Sequence, residues 1–520
     1  MGFRTTQDLL LGPHLADSEA TALLRPYGFR DCRRADENLQ ALADDPRDRT
    51  QLADILDQLL NEVAESPDPD QALDYLERFA KAGPNKAALI AYLKSSPSTT
   101  HLLVTVFGSS PYLSQVLIRN PEYLHWVSRP DVLARVRSRR DLKNDLNGFL
   151  RALRSADRQL DALRRFRRRE MLAIGVRDLL RKASVEETTA ALSVLAEVLI
   201  ERAYTVCRAA LRGTYGLARS GFTVLAMGKL GGGELNFSSD VDLMYVCGSE
   251  TGATTGTRAG GKASRLPLET YFRRLAQELT NAMTEVTNEG YLFRVDLRLR
   301  PEGKAGRIVE SVQRCRRYYR GTRGQGWERL ALMKAGPVAG DKALGKRFLK
   351  MVQPFIYQAS PPQAVVADVR RIKGEIDRKM AQRGESGRNV KLGTGGIREI
   401  EFFLQALQAT YGWEHPALRA RNTARGLDKL LRARVISADE HRYLVEAYWF
   451  LRDVEHKLQM VEEQQTHTLP ADPEELRRCA LRLGYRDAEE VTAGELFLRD
   501  HARHTERVHE IFQRLVAGGG

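Results

Sequence analysis

The stretch FTVLAMGKLGGGELNFSSDVDLMYV, residues 222–246, limits the possible folds of this chain more than any other. Two runs of apolar, strand-forming residues flank a glycine-rich segment, which predicts a strand, a tight turn, a short irregular segment and a second strand. Because strand side chains alternate between faces, Asp240 and Asp242 share one face of the second strand. Ionised carboxylates are almost never fully buried without a partner, so this pair predicts a positive group between them.

Helical periodicity dominates the rest of the chain. Apolar residues recur at helical spacing up to about residue 155 and again beyond about residue 345, with Pro and Ser between the segments. We therefore expect a mostly helical α+β fold: an N-terminal helical domain over residues 1–155, an α/β domain over 156–345 and a C-terminal helical bundle over 346–520. Within residues 107–127, the prolines predict a loop, a short helix opened by Pro111 and a second helix after Pro121.

Length and charge narrow the class of protein. A chain of 520 residues is too long for a single core. Its formal net charge of +14 favours acidic partners such as nucleotides, nucleic acid or an acidic protein. Acidic residues are interspersed with the basic ones, however, which is more typical of solvated helix faces than of a nucleic-acid-binding stripe.

Cysteine content and hydropathy help to predict the cellular compartment of the protein. The five cysteines are dispersed and form no CxxC pair, which argues against a disulfide framework and a structural zinc site. No apolar run approaches the ~20 residues that a membrane helix needs. We therefore expect a cytoplasmic protein with no membrane or nucleic-acid partner.

A later stretch, GYLFRVDLRLRPEGKAGRIV at residues 290–309, offers a third carboxylate. Its alternation predicts a strand whose polar face carries Arg294, Asp296, Arg298 and Arg300. If this strand neighbours the first Asp-bearing strand in one sheet, the three aspartates converge.

Clustered carboxylates raise one another's pKa values unless a cation neutralises them. Hard oxygen ligands suit Mg²⁺, and two such ions about 4 Å apart can brace the attacking and leaving oxygens of a displacement at phosphorus. We therefore predict that Asp240, Asp242 and Asp296 are catalytic residues and ligands of Mg²⁺, bound as two ions.

Other residues of these stretches suit the phosphates of a nucleotide. Gly231 and Gly232 let the backbone approach a phosphate closely, and Ser238 and Ser239 offer hydroxyl donors. Arg298 and Arg300 share the predicted polar face of Asp296. We do not assign a phosphate loop to GTRAGGKA, residues 256–263, because Ala263 replaces the Ser or Thr of a Walker A motif and no helix directly follows.

A glycine turn, an Asp-x-Asp strand and a third aspartate in a later strand resemble the nucleotidyltransferase superfamily with a DNA-polymerase-β-like fold. Taken with the motifs around them, these stretches also resemble the bacterial glutamine synthetase adenylyltransferase/adenylyl-removing enzymes. The motifs that carry this resemblance are, in chain order, SPYLSQVLIRNPEYLHWV, LRRFRRREML, GKLGGGELNFSSDVDL, RVDLRLRPEGKAG and EEQQTHTLP.

The resemblance implies one half of a bifunctional enzyme, because SSDVD occurs once and the family typically carries two related halves. In that family the N-terminal half removes AMP from a tyrosine of glutamine synthetase, using phosphate and releasing ADP, and the C-terminal half attaches AMP from ATP. The segments GQGWERLALMKA (324–335) and NVKLGTGGIREIEFFLQ (389–405) are similar to the removing half. The other half usually shows a Trp-Glu-His element and a GGLVDIEF-like one.

The function implied is therefore Mg²⁺-dependent phosphorolysis of adenylylated glutamine synthetase, with AMP, ADP, ATP and inorganic phosphate as substrates or products. The PII signalling protein is a further implied partner. Arg298, Arg300 or Lys334 would hold the incoming phosphate. Two alternatives stay open: transfer of AMP from ATP onto the synthetase, and a non-catalytic half that docks the synthetase or PII. An RNA-binding nucleotidyltransferase is disfavoured, because the chain shows no recognisable RNA-binding module.

Overall fold

The computed structural model describes residues 5–12, 15–43, 45–83, 85–259, 262–321, 323–384 and 387–518. The strands are β1 (Phe222–Ala226), β2 (Val241–Cys247), β3 (Arg258–Ala259), β4 (Lys262–Ala263), β5 (Val295–Asp296), β6 (Val309–Ser311) and β7 (Gly336–Gly340). Short 3₁₀ helices cover Arg25–Tyr27, Gly303–Ala305 and Pro416–Leu418.

The α-helices that precede β1 occupy most of the first 215 residues. They are α1 (Asp8–Leu11), α2 (Asp17–Leu24), α3 (Cys32–Leu42), α4 (Pro46–Ala53), α5 (Leu56–Ala64), α6 (Pro69–Ala82), α7 (Lys86–Ser95), α8 (Pro97–Ser109), α9 (Pro111–Arg119), α10 (Tyr123–Val127), α11 (Pro130–Ala134), α12 (Arg139–Leu150), α13 (Ala156–Leu179) and α14 (Val185–Tyr215).

The remaining α-helices lie between the strands and beyond them. They are α15 (Gly228–Gly232), α16 (Leu268–Thr284), α17 (Val312–Arg320), α18 (Gly326–Met333), α19 (Lys342–Ile356), α20 (Pro362–Arg383), α21 (Ile397–Tyr411), α22 (Thr423–Arg432), α23 (Ala438–Met460), α24 (Pro473–Leu483) and α25 (Ala493–Val516). The expectation of a mostly helical α+β chain is confirmed. Among the described residues, no helix is both long and apolar enough to cross a membrane.

Contacts along the chain divide it into two compact units, each built from three stretches. The first comprises Met1–Val136, Met171–Ser184 and His456–Arg499, and the second comprises Arg137–Glu170, Val185–Glu455 and Asp500–Gly520. The division into three domains at residues 155 and 345 stays a prediction.

Every named secondary-structure element within the described residues of the first unit is a helix. Pro111 opens α9 and a second helix, α10, follows Pro121, as the sequence predicts. The expected loop before Pro111 is instead the end of α8, which continues to Ser109. Ser110 separates the two helices because its hydroxyl accepts a hydrogen bond from the Leu113 amide and caps α9.

The second unit contains a small mixed sheet with the strand order β5-β2-β1-β7. β1 pairs antiparallel with both β2 and β7, whereas β5 and β6 both pair parallel with β2. Helix α14 packs on α16 and β7, and α19 packs on β7 and β1. At one end of the sheet, the Phe222 ring stacks with Tyr204, Tyr245 and Phe272 at centroid distances of 5.7–5.9 Å.

The strand predicted over residues 290–309 is wrong in its length, because only Val295 and Asp296 pair as β5. The Asp296 carboxylate accepts the backbone N–H of Arg298, which turns the chain two residues later. Sequence analysis also missed β7, whose Gly336 and Pro337 argue against a strand. Pro337 is accommodated because β7 lies at the edge of the sheet.

Within the segment 256–263, Arg258–Ala259 pairs antiparallel with Lys262–Ala263 as β3 and β4. Gly260 and Gly261 of this segment lie outside the described residues. This ladder supports the view that the near match to a Walker A motif is incidental.

Candidate nucleotidyltransferase site

The sheet brings two of the predicted aspartates side by side. β2 and β5 run parallel with Val241 opposite Val295 and Asp242 opposite Asp296. Residues in register on neighbouring strands point their side chains to the same face. The two carboxylates therefore lie on one face of the sheet, although they are 54 residues apart in sequence.

Asp240 lies directly before β2 rather than inside it, and an arginine orients it. The Arg294 guanidinium donates to the Asp240 carboxylate at 2.7 Å and to the hydroxyl of Ser238 at 3.0 Å. The Arg294 carbonyl accepts the amide of Val241 at 2.9 Å. Arg294 therefore ties the segment that carries Asp240 to the neighbouring strand.

Asp296 is bound by Arg298. The Arg298 backbone N–H donates to Asp296 Oδ1 at 2.7 Å and its side-chain Nε donates to Oδ2 at 2.7 Å. Burial alone would raise the pKa of Asp296, but these hydrogen bonds and the charges of Arg298 and Arg300 outweigh it and lower that pKa. The Arg298 side chain is 63% exposed, so it reaches this carboxylate from the solvent side.

Asp242 differs from both. Among the described residues, no side chain or backbone group donates a hydrogen bond to its carboxylate. Burial, followed by the neighbouring Asp296 charge, raises the pKa of Asp242 to about 6. The Lys391 and Arg398 charges act in the opposite direction on Asp242, so both cations lie close enough to influence it. This carboxylate has unsatisfied negative charge and cations nearby.

Lys391 lies in the segment between α20 and α21, and Arg398 lies just beyond the start of α21. Arg398 is in the first turn of α21, and its guanidinium also lies 3.4 Å from Glu401. The Lys391 ammonium has no hydrogen-bond or ion-pair partner among the described residues. Asn389 shapes the backbone here, since its side-chain oxygen accepts the amide of Lys391.

Gly231 and Gly232, which were predicted to let the backbone approach a phosphate, instead pack against other parts of the backbone. A Cβ on Gly231 would lie 2.2 Å from the Lys334 carbonyl oxygen, and one on Gly232 would lie 3.0 Å from the Arg421 carbonyl oxygen. In this structure these two buried glycines therefore allow close backbone packing. Gly228, which the sequence did not single out, has φ +50° and leaves room for Asp242, whose Oδ2 would lie 2.3 Å from a Cβ there.

The two predicted serines bracket the turn before β2. Ser238 is 3% exposed, and its hydroxyl accepts from Arg294. The Ser239 hydroxyl accepts the amide of Asn236 at 3.3 Å. Both hydroxyls thus help to shape the chain beside Asp240.

Lys334 and Arg300 are engaged by other groups. The Lys334 ammonium donates to Glu401 at 2.6 Å, to Glu234 at 3.0 Å and to the hydroxyl of Thr423 at 3.1 Å. Three hydrogen bonds use all three donors of an ammonium group. The Arg300 guanidinium donates to the carbonyls of Leu297, Lys304 and Gly306, closing the loop after Asp296.

Lys334 belongs to a set of six charged residues that we name the buried charge cluster: Lys229, Glu234, Lys334, Glu401, Arg452 and Glu455. Burial alone would lower the pKa of the Lys334 ammonium, but Glu234 and Glu401 outweigh it and raise that pKa. The cluster fixes the glycine turn, since the Lys229 ammonium and the Glu455 carboxylate are 2.5 Å apart. Asn236 Nδ2 also donates to Glu455, at 2.7 Å.

The aspartates suit a hard divalent cation in their chemistry but are not gathered around one. Within the part of the chain that the structure describes, no group of three or more Asp, Glu, His or Cys side chains forms a ready metal cage. Two of the three aspartates have arginine partners, Arg294 for Asp240 and Arg298 for Asp296. The carboxylate of Asp242, without a donor and beside a second carboxylate, fits the oxygen ligands that Mg²⁺ prefers.

Four residues around the aspartates were given no site role from the sequence: Gly228, Arg294, Lys391 and Arg398. A signal was present for the last two, because KLGTGGIR places two cations around a glycine-rich turn. No comparable signal marks Gly228, whose role depends on the pairing of β1 with β2.

Comparisons with known proteins show what this chain is similar to. A family model described as glutamate-ammonia ligase adenylyltransferase matches residues 100–351, and one described as GlnD PII-uridylyltransferase matches residues 369–516. A bifunctional glutamine synthetase adenylyltransferase/adenylyl-removing enzyme from Rhizobium meliloti (strain 1021) is 37% identical over 84% of this chain and 45% of its own length.

Proteins of the same description from two other bacteria are similar. The one from Thioalkalivibrio sulfidiphilus is 37% identical over 80% of this chain and 42% of its own length. The one from Mesorhizobium japonicum is 36% identical over 84% of this chain and 44% of its own length. This chain therefore spans about half the length of the curated relatives it matches.

Proposed function

Since this chain belongs to the glutamate-ammonia ligase adenylyltransferase family, we propose that it removes AMP from adenylylated glutamine synthetase by phosphorolysis. The observation that carries the proposal is the parallel pairing of Asp242 with Asp296, next to Asp240. It supports a DNA-polymerase-β-like nucleotidyltransferase arrangement within the sheet. Asp240, Asp242 and Asp296 would hold Mg²⁺, which supplies positive charge to the transferring phosphoryl group.

In the proposed reaction an oxygen of inorganic phosphate attacks the phosphorus of tyrosyl-AMP. The new P–O bond makes ADP, the bond to the tyrosine oxygen breaks, and the phenolate takes a proton from water. A phenol pKa near 10 makes phenolate a tolerable leaving group. Phosphate is already anionic at neutral pH, so the step needs no general base.

Lys391 and Arg398 are better candidates for holding the incoming phosphate than Lys334 or Arg300. The former pair acts on Asp242 electrostatically, and the Lys391 ammonium has no partner among the described residues. The latter pair is occupied by internal hydrogen bonds. Arg298 stays a candidate, because it is exposed beside Asp296.

The direction of transfer rests on similarity of sequence. In GQGWERLALMKA, Arg329 is buried and donates to the carbonyls of Ile356 and Ala409, so this marker of the removing half shapes the fold. The second marker, NVKLGTGGIREIEFFLQ, contains Lys391 and Arg398. PII protein as a partner is supported by the match of residues 369–516 to a PII-uridylyltransferase model.

The test follows ADP release and loss of attached AMP from adenylylated glutamine synthetase, with Mg²⁺ and phosphate. A second tube offers unmodified synthetase and ATP. The variant Asp240→Asn/Asp242→Asn removes the site, and Asp439→Asn, whose side chain is 72% exposed, is the matched control.

ADP that requires phosphate and disappears only in the double variant would support phosphorolysis. Incorporation of AMP from ATP would reverse the proposed direction while retaining the site. Binding of the synthetase without either reaction would favour the non-catalytic docking half.

A further inference from the structure

The second compact unit contains a cavity of about 450 Å³ at the end of the sheet remote from the aspartates. It is bounded by α14, α16, residues 218–222 and Gly340–Asp341. Phe222 lines it and pairs with Cys247, which is five residues beyond Asp242 on β2. A strand rises about 3.3 Å per residue, so the five residues from Asp242 to Cys247 place the cavity roughly 16 Å from Asp242. It is therefore separate from the nucleotidyltransferase site.

Two tyrosine hydroxyls in this cavity have no partner. Tyr204 and Tyr271 are 7% and 2% exposed, and both line the cavity. In the described part of the chain neither hydroxyl makes a hydrogen bond. Their rings are fixed, since Tyr204 stacks on Phe222 and Tyr271 packs edge-on against Phe272. Neither hydroxyl oxygen is among the buried side-chain atoms that lack a partner, so both reach the solvent of the cavity and are free to donate hydrogen bonds to a ligand there.

The same cavity is lined by cations without counter-ions. Arg208 and Arg219 are exposed, and neither pairs with a carboxylate within the described ranges. Two carboxylates also line the cavity, and both are engaged by other groups: Glu201 pairs with Lys143 at 2.8 Å, and Asp341 accepts the amide of Leu344 at 2.8 Å.

One of these arginines acts on both tyrosines. Burial raises the pKa values of Tyr204 and Tyr271, and the Arg208 charge opposes that rise in each of them. Arg208 is therefore close to both phenol groups. The hydroxyl donors and the positive charge converge on one space.

We propose that this cavity binds a small organic anion through its carboxylate or phosphoryl oxygens. Tyr204 and Tyr271 would donate hydrogen bonds to these oxygens, and Arg208 and Arg219 would supply charge-assisted ones. The cavity volume suits a small metabolite rather than a polymer. This inference does not rest on the proposed reaction, because none of these residues belongs to the aspartate site.

The test titrates the full chain with citrate and, separately, with inorganic phosphate by calorimetry in EDTA, which keeps divalent metal away from the aspartates. The two probes distinguish a carboxylate ligand from a phosphoryl one. We expect one of them to bind with one-to-one stoichiometry. Tyr271→Phe and Arg208→Gln should each weaken that binding at least tenfold.

Arg273→Gln is the matched control, because Arg273 is exposed on the same helix as Tyr271 and does not line the cavity. It should leave the affinity unchanged. Tyr271→Phe removes an unpartnered hydroxyl, so its melting temperature without ligand should equal or exceed that of the parent chain. Absence of binding by both probes, or equal binding by all variants, would overturn the proposal.

Discussion

The second compact unit holds two groups of charged side chains that differ in how their charges are matched. In the buried charge cluster, three cations face three carboxylates, and the side chains of Glu234, Arg452 and Glu455 are fully buried. In the aspartate group, Asp242 and Asp296 lie side by side on neighbouring strands next to Asp240, and Asp242 receives no hydrogen bond from any described residue. The first arrangement neutralises itself, whereas in the second Arg294 and Arg298 neutralise only Asp240 and Asp296, and the Asp242 carboxylate is left without a partner among the described residues.

The difference separates structural from functional charge. Buried ions are tolerated when each has a partner and enough hydrogen bonds, and removing one partner is then strongly destabilising. Mutually repelling carboxylates do not favour folding, so their retention on neighbouring strands points to a ligand. The following substitutions test whether the two groups behave in these opposite ways.

The largest effect is expected from Lys334→Met. This substitution leaves Glu234 and Glu401 buried without their cation, which should lower the free energy of unfolding by about 3–5 kcal/mol. Urea-induced unfolding followed by circular dichroism measures it. Lys346→Met, at an exposed position, should stay within about 0.5 kcal/mol of the parent. A loss below about 1 kcal/mol for Lys334→Met would mean that the cluster is not a matched structural unit.

Asp242→Asn should show the opposite pattern. The variant keeps the shape of the side chain but removes a charge that Asp296 and Asp240 repel, so the metal-free chain should melt at the same temperature or higher. Its rate of ADP release should fall by about 100- to 1,000-fold, as when one electrostatic stabiliser of a transition state is removed. A clear loss of stability with little loss of rate would place Asp242 among the structural charges.

How far the sequence leads depends on whether a feature is local. The two strands at residues 222–226 and 241–247 follow from apolar runs, so their prediction is confirmed, whereas the glycine-rich segment predicted as a tight turn contains the short helix α15. The extent of β5 was mispredicted, because Asp296 hydrogen-bonds the backbone two residues on and ends the alternation. β7 was missed because its residues disfavour strands and only its pairing with β1 stabilises it.

The same limit applies to the site. Asp240, Asp242 and Asp296 could be proposed because an aspartate in a strand contradicts strand propensity. Lys334 could not be distinguished from Lys391 in the sequence, since both are lysines near glycines and helices. Only tertiary contacts separate them: Glu401 and Glu234 enclose one, whereas the other has no partner among the described residues.

Lys391→Gln tests that separation. If the Lys391 ammonium holds the incoming phosphate, its loss should raise the KM for phosphate about 10- to 100-fold, the range for a hydrogen bond to a charged group. Unlike Lys334→Met, the variant should keep the parent's stability, because no described ion pair is broken. Steady-state rates of ADP release against phosphate concentration measure the effect, with Lys346→Gln as the control. An unchanged KM would mean that Arg398 or Arg298, rather than Lys391, binds the incoming phosphate.

The smallest effect concerns the ion pair of Arg298 and Asp296. Because the Arg298 side chain is 63% exposed, solvent screens this pair and its net contribution is at most about 1 kcal/mol. Arg298 nevertheless occupies a carboxylate that a divalent ion would need. Arg298→Gln should therefore tighten Mn²⁺ binding about two- to fivefold, as measured by the electron paramagnetic resonance signal of unbound Mn²⁺.

Arg273→Gln removes the same charge from an exposed position away from the aspartates, so it corrects for the general change in net charge. If Mn²⁺ binds the Arg298 variant more weakly than this control, Arg298 orients Asp296 for the metal instead of competing with it. In that case the aspartate group, like the buried charge cluster, would depend on a cation from its own chain.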